Sequence, residues 1–240
     1  MQNLFNALLA IHVVAGFGAL ILFWIPALNR KGGKAHRKIG KWYVGLMWAV
    51  VISAWSLCLL KTIKGQWVGA SFLGFLGLIT VQPLWYGIAV LKEKKEVSLS
   101  TLRIRRAISG AVAIAGLAMI GAAIDLKFQG QAVLLLIFGI LGATSIREVL
   151  KPLHKQQSKA HWYLDHLEGM IITGIAAHTA FFAFGGNQFL RGIFVDQWVA
   201  IPWVMPTVLG IIAIRRMKQK YRAKTQRPKK PMVAPQATLG

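Results

Sequence analysis

The chain has 240 residues, with 29 Lys and Arg against 7 Asp and Glu, a net charge of +22. It is 55% hydrophobic and only 15% charged, with a mean hydropathy of +0.53, where soluble domains carry about 25% charged residues. The charges are bunched, so long stretches lack the polar residues a water-facing surface needs; lipid is their expected solvent, which argues against a soluble enzyme, a secreted disulfide scaffold or a disordered chain.

In chain order, seven segments free of Asp, Glu, Lys and Arg are long enough, or nearly so, to cross a bilayer. They are Phe5–Leu28, Trp42–Leu60, Trp67–Leu91, Ala107–Ile124, Phe128–Ile146, Gly169–Leu190 and Gln197–Ile214. The sixth is expected to begin near Trp162, with Asp165, His166 and Glu168 in its first turns. Small residues recur at four-residue spacing, as in Ala15/Ala19, Ala70/Gly74, Ser109/Ala113, Ala118/Ala122 and Gly139/Ala143, and such stripes let membrane helices approach closely. None of the segments alternates polar with apolar residues as a transmembrane β-barrel would.

Lys and Arg fix an expected orientation. The Arg30–Lys41, Lys92–Arg106 and Arg147–Lys159 loops and the Arg215–Lys230 tail hold 25 of them; Lys61, Lys64, Lys127 and Arg191 fall on the other side. That split predicts seven spans with the N-terminus outside and the C-terminus cytoplasmic, and the expected location is a cell inner membrane. Trp24, Trp42, Trp85 and Trp162 fall at inner boundaries, Trp67 and Trp198 at outer ones. The fold class is thus an all-α integral membrane bundle over residues 1–214, followed by a basic, disordered cytoplasmic tail over residues 215–240. No cleaved signal peptide is expected, so the first span is retained. The basic charge is topological and attracts anionic inner-leaflet lipid. The tail lacks the interleaved aromatics of a nucleic-acid surface.

Cys58 is the sole cysteine, which excludes an intrachain disulfide, a four-thiolate zinc site, an iron–sulfur cluster and haem attached through paired thioethers. His-x-x-x-His, His-Glu-x-x-His and Gly-x-Ser-x-Gly motifs and a phosphate loop are all missing. A lysine that could carry a retinal Schiff base is missing from the last spans.

Ionisable side chains within a membrane are costly and mark function by default. Inside the apolar segments there are two, His12 and His178. Each lies ~10 Å below the outer end of its helix at helical rise. A glycine stands one turn nearer the bilayer centre in both cases, Gly16 and Gly174. Two imidazoles at one depth, with cleared space below them, suit axial ligation of a haem. The blander alternative is that each ring bonds a helix neighbour while the glycines serve packing.

A second group lies at the inner boundary: His36 at the start of the second helix, and His154, His161, Asp165, His166 and Glu168 around the start of the sixth. His36 with His166 would make a second imidazole pair, although the 12 residues from His166 to His178 turn the helix by ~120° from a shared stripe. His36, His161, Asp165 and His166 could instead hold zinc or another divalent metal, or be ordinary ion contacts. Pro83, with Gln82 and Trp85, is where a transporter gate would be sought.

Two stretches carry a family likeness. His12-Val13-Val14-Ala15-Gly16, followed by Gly33-Lys34-Ala35-His36-Arg37-Lys38-Ile39-Gly40-Lys41, resembles the start of a bacterial multi-pass membrane family, the domain of unknown function numbered 2306. His166-Leu167-Glu168-Gly169-Met170 and Ala176-Ala177-His178-Thr179-Ala180-Phe181 resemble its later helix. The likeness reaches to about Ile214. It implies an integral membrane protein, draws attention to His12, His36, His166 and His178, and implies no activity.

The sharpest functional expectation is a transmembrane redox protein holding b-type haem between His12 and His178, with a second near His36 and His166, passing electrons to a quinone or a cytoplasmic partner. The alternatives are a cofactor-free transporter or sensor binding protons or substrate, a metal-dependent membrane hydrolase at the inner cluster, and a structural partner subunit.

Overall fold

A computed structural model describes residues 1–127, 132–152, 161–182 and 201–225. These residues form eight α-helices: α1 Gln2–Leu28, α2 Lys34–Ile63, α3 Trp67–Ala89, α4 Leu99–Asp125, α5 Ala132–Ala143, α6 Ile146–Leu150, α7 His161–Ala180 and α8 Ile201–Thr225. There is no strand among them. The turns follow local chemistry. Gly32 (φ +75°) and Gly65 (φ +71°) adopt left-handed backbone between α1 and α2 and between α2 and α3, a conformation only glycine takes without strain. Ser98 caps α4 by accepting from the Thr101 backbone N–H at 3.2 Å, which satisfies one orphan donor of the first turn.

Five helical stretches are long and apolar enough to cross a membrane: α1, α2, α3, α4, and Ala132–Leu150, which joins α5 and α6. Their outward faces carry large apolar side chains such as Ile11, Val14, Ile21, Ile114 and Ile140, as a lipid environment requires. The sixth and seventh expected spans correspond to α7 and α8, which are not among the five. Residues 128–131, 183–190 and 197–200 of the expected spans lie outside the described residues, as does His154.

The expected tail differs. Residues 215–225 continue α8 as helix. The run from Arg215 to Thr225 contains neither Gly nor Pro and is rich in helix formers. It is also held: the Lys218 ammonium meets the Glu168 carboxylate at 2.6 Å, and Tyr221 stacks on Tyr163 at 4.5 Å between centroids.

α1, α2, α3 and α7 form a four-helix ring, each packed on the next and α7 closing on α1. Ala19, Tyr43, Met47 and Leu84 fill its centre. α4 packs on α3 and carries α5 and α6, around a second core of Phe75, Val112, Met119 and Leu135. Glycines set the closest crossings. A Cβ on Gly169 would stand 2.5 Å from the Pro83 carbonyl oxygen and 3.0 Å from Gly87 Cα; one on Gly116 would stand 2.7 Å from both Ala143 N and Gly139 O. Pro83 is thus part of the α3–α7 contact. Of the small-residue stripes, Ala15/Ala19 and Ser109/Ala113 are buried, whereas Ala118 and Ala122 are exposed and the buried stripe of α4 runs one residue over, through Met119 and Ala123.

Candidate functional site: a histidine pair across the bundle

The diagonal of the ring joins α2 to α7. Tyr43 on α2 bonds Thr173 on α7, oxygen to oxygen at 2.8 Å. Two turns back on each helix, the rings of His36 and His166 lie 6.4 Å apart between centroids with an interplanar angle of 77°. Both pairs share one sequence offset, 130 residues. α2 and α7 therefore run in the same direction and in register. Because residues seven apart return to nearly one helix face, Tyr43 and Thr173 continue the two stripes that the histidines begin.

Each imidazole is held by the end of a third or fourth helix. His36 Nδ1 donates to the Pro26 carbonyl at 3.0 Å, and His166 Nδ1 donates to the Gly87 carbonyl at 2.8 Å. Both carbonyls belong to the last turns of α1 and α3, whose carbonyls lack intrahelical partners. A carbonyl can only accept, so both Nδ1 atoms carry hydrogen, and in the neutral rings both Nε2 atoms present lone pairs. Neither Nε2 has a hydrogen-bond partner among the described residues. Lys31 joins the group, its ammonium donating to the Pro26 carbonyl at 2.9 Å and also to that of Ala27. Burial holds the Lys31 ammonium below the usual lysine range. The two starting helices thus lend side chains that cap the two ending ones.

The other expected pair does not form. His12 Nδ1 lies 2.9 Å from Ser53 Oγ and 3.2 Å from the Val50 carbonyl, both on α2. His178 Nδ1 donates to the Gly174 carbonyl at 2.7 Å while its Nε2 accepts from the Trp24 indole at 3.1 Å. The two rings address separate neighbours, and Trp24 is 12 residues, or ~18 Å of helix, from His12. The physical reason is register. Phe17 meets Phe181 and the Phe23 ring lies against Gly174, so on these antiparallel helices His178 stands level with the Ala19 region of α1, roughly two turns from His12. The space expected near Gly174 is also filled: a Cβ there would lie 2.3 Å from the Phe23 ring, whereas Gly16 has nothing within 4 Å.

Nor do the four expected metal ligands converge. Among the described residues no three His, Cys, Asp or Glu side chains form a group able to hold a metal ion. His161 Nε2 reaches the Glu93 carbonyl at 3.3 Å, and Asp165 accepts from the Tyr86 hydroxyl at 3.0 Å. Both turn to the end of α3 beside Arg105, whose guanidinium lies 4.1 Å over the Tyr86 ring and pairs with Glu148 at 2.8 Å. Glu168 pairs with Lys218. Trp24, Ser53 and Tyr86 were not legible as partners. Tyr43 and Thr173 were within reach, each standing seven residues beyond a singled-out histidine. No protein family, curated protein or solved structure matches the chain.

Proposed function

We propose that this is a multi-pass redox protein of the bacterial inner membrane, in which His36 and His166 together ligate one b-type haem at the cytoplasmic end of the bundle. The observation that carries the reading is the pair itself: two imidazoles from parallel helices, each locked by Nδ1 on a backbone carbonyl, with both Nε2 lone pairs unengaged. An Nδ1–H···O=C bond is the usual outer support of a metal-bound imidazole, fixing its tautomer and raising its basicity. Two imidazoles bound to one ion at about 2.0 Å each have centroids roughly 6 Å apart, the separation found here. Gly40, one turn beyond His36, has nothing within 4 Å of where a Cβ would stand. His12 and His178 serve structure on this reading, so the second haem falls away.

The likeness to the domain of unknown function 2306 supports membrane residence and covers His36 and His166. The Lys and Arg distribution supports seven spans, the N-terminus outside and anionic lipid at the inner leaflet. Protein purified after haem-replete expression should show a Soret band that is lost in His36→Ala and in His166→Ala and kept in His12→Ala. A colourless wild-type protein overturns the reading.

One observation favours a second reading. The carbonyl ends of α1 and α3 point their partial negative charge at the pair, and both Nε2 atoms are open to a proton. A cofactor-free transporter or sensor would use the pair as its proton site, with pH-dependent flux or signal lost in His36→Ala and in His166→Ala.

A further inference from the structure

We propose that a cleft at the junction of α2, α3 and α4 binds the head group of an isoprenoid quinone. Its volume is about 310 Å³, and it is lined by Trp48 from α2, Trp85 and Ile88 from α3, Lys92 and Glu93 from the α3–α4 connection, and Thr101 from α4. That is the size of a small ligand pocket. It lies at the basic end of the bundle, on the turn of α3 whose Gly87 carbonyl holds His166. The site rests on its own lining and requires no cofactor at the histidine pair.

The lining sorts into used and unused polar groups. The Glu93 carboxylate is saturated, accepting from Ser98 Oγ at 2.7 Å, Thr101 Oγ1 at 2.9 Å and the Ser98 backbone N–H at 2.9 Å. The Trp48 and Trp85 indole N–H groups and the Lys92 ammonium have no acceptor among the described residues. Both indoles are only half-buried and reachable from the cleft. The occupant should therefore be flat, to lie along indole faces, and should carry acceptors and no donors of its own. It should also be uncharged, because one ammonium beside one fixed carboxylate leaves no net charge to hold a phosphate. A quinone ring with two carbonyls meets all three demands, and its isoprenoid tail would leave toward lipid.

The test is equilibrium dialysis of the full chain in detergent against decyl-ubiquinone and, separately, menadione. The expected result is saturable one-site binding, weakened tenfold or more in Trp85→Ala and in Lys92→Gln. Binding should be unchanged in Trp67→Ala, at the far end of α3. Lys92 is exposed, so Lys92→Gln folds even if Trp85→Ala does not. Overturning results are binding that never saturates, affinity equal to wild type in Lys92→Gln, or displacement of the quinone by phosphatidylglycerol nanodiscs at lower concentration than by a second quinone. Because binding is read without a cofactor, quinone binding by a colourless protein removes only the haem, and a Soret band without quinone binding removes only the cleft.

Discussion

His36 and His166 meet across the bundle; His12 and His178 do not, although all four stand on helices of the same four-membered ring. The difference is one of register. α2 and α7 are parallel and keep one offset from His36/His166 to Tyr43/Thr173, so the two histidines are level. α1 and α7 are antiparallel, and Phe17 against Phe181 with Phe23 at Gly174 sets His178 beside the Ala19 region of α1, roughly two turns from His12. Depth counted from the end of an apolar run therefore pairs residues only when the packing of the two helices fixes where each run sits. The two ends also differ in how the rings are satisfied. His178 uses both ring nitrogens, Nδ1 on Gly174 and Nε2 on Trp24, whereas His36 and His166 each spend one nitrogen on a helix end and keep one in hand.

The largest effect that could break this comparison is on pigment. Removing either member of the meeting pair should abolish the Soret absorbance outright, while His12→Ala and His178→Ala should leave it in place. Equal losses in all four variants, read by absorbance at matched protein concentration, would erase the distinction between the pairs.

Next in size is the α3–α7 crossing that seats His166 on Gly87. Gly169→Val puts new atoms against the Pro83 carbonyl and Gly87 Cα, where backbone cannot yield. A cost of about 1–3 kcal/mol is expected from overpacking, measured by SDS or thermal unfolding, together with a changed His166 environment by NMR. Gly16→Ala, into open space, is the matched control and should not destabilise.

Acid sharpens the contrast between the two ends. The α3–α4 connection is pinned through Glu93. Burial pushes its carboxyl up, but the hydrogen bonds from Ser98 and Thr101 outweigh that and hold it below its ordinary 4.5. A depressed folded value means the stabilisation is complete above 4.5 and is lost as pH falls through the lower folded value. Hydrogen exchange of the α3–α4 connection should rise below pH 4.5 in the wild type. It should be fast and independent of pH-linked opening in Glu93→Gln, while the Ser53–His12 region shows no such carboxylate-linked step.

The smallest effect belongs to the parted pair. Trp24→Phe removes the donor to His178 Nε2 and should cost about 1 kcal/mol, with no change in pigment. Loss of pigment in that variant would show that His178 takes part in the site after all.

The sequence alone settled what kind of solvent the helices need, because a run of apolar residues without charge has few other homes. It also bracketed the long helices through their charge-free runs, although α2 starts at Lys34 and α4 at Leu99, a turn or two before the apolar run, and it singled out the histidines by the cost of putting them there. It misjudged residues 215–225, where helix propensity and the contacts of Lys218 and Tyr221 outweigh the look of a basic tail. It found the buried Ser109/Ala113 stripe of α4 but placed the Ala118/Ala122 one a residue off, since an apolar stretch gives no amphipathic signal for which face is inside.

Which histidines meet was decided only in three dimensions. Composition and spacing report distance along one helix, and an imidazole reaches its partner through register, crossing angle and the helix opposite. His36 and His166 come together because Gly87 and Gly169 let α3 and α7 close, because Pro26 and Gly87 present unpaired carbonyls, and because α2 and α7 share a direction. Those are relations between helices far apart in the chain, and no local pattern encodes them.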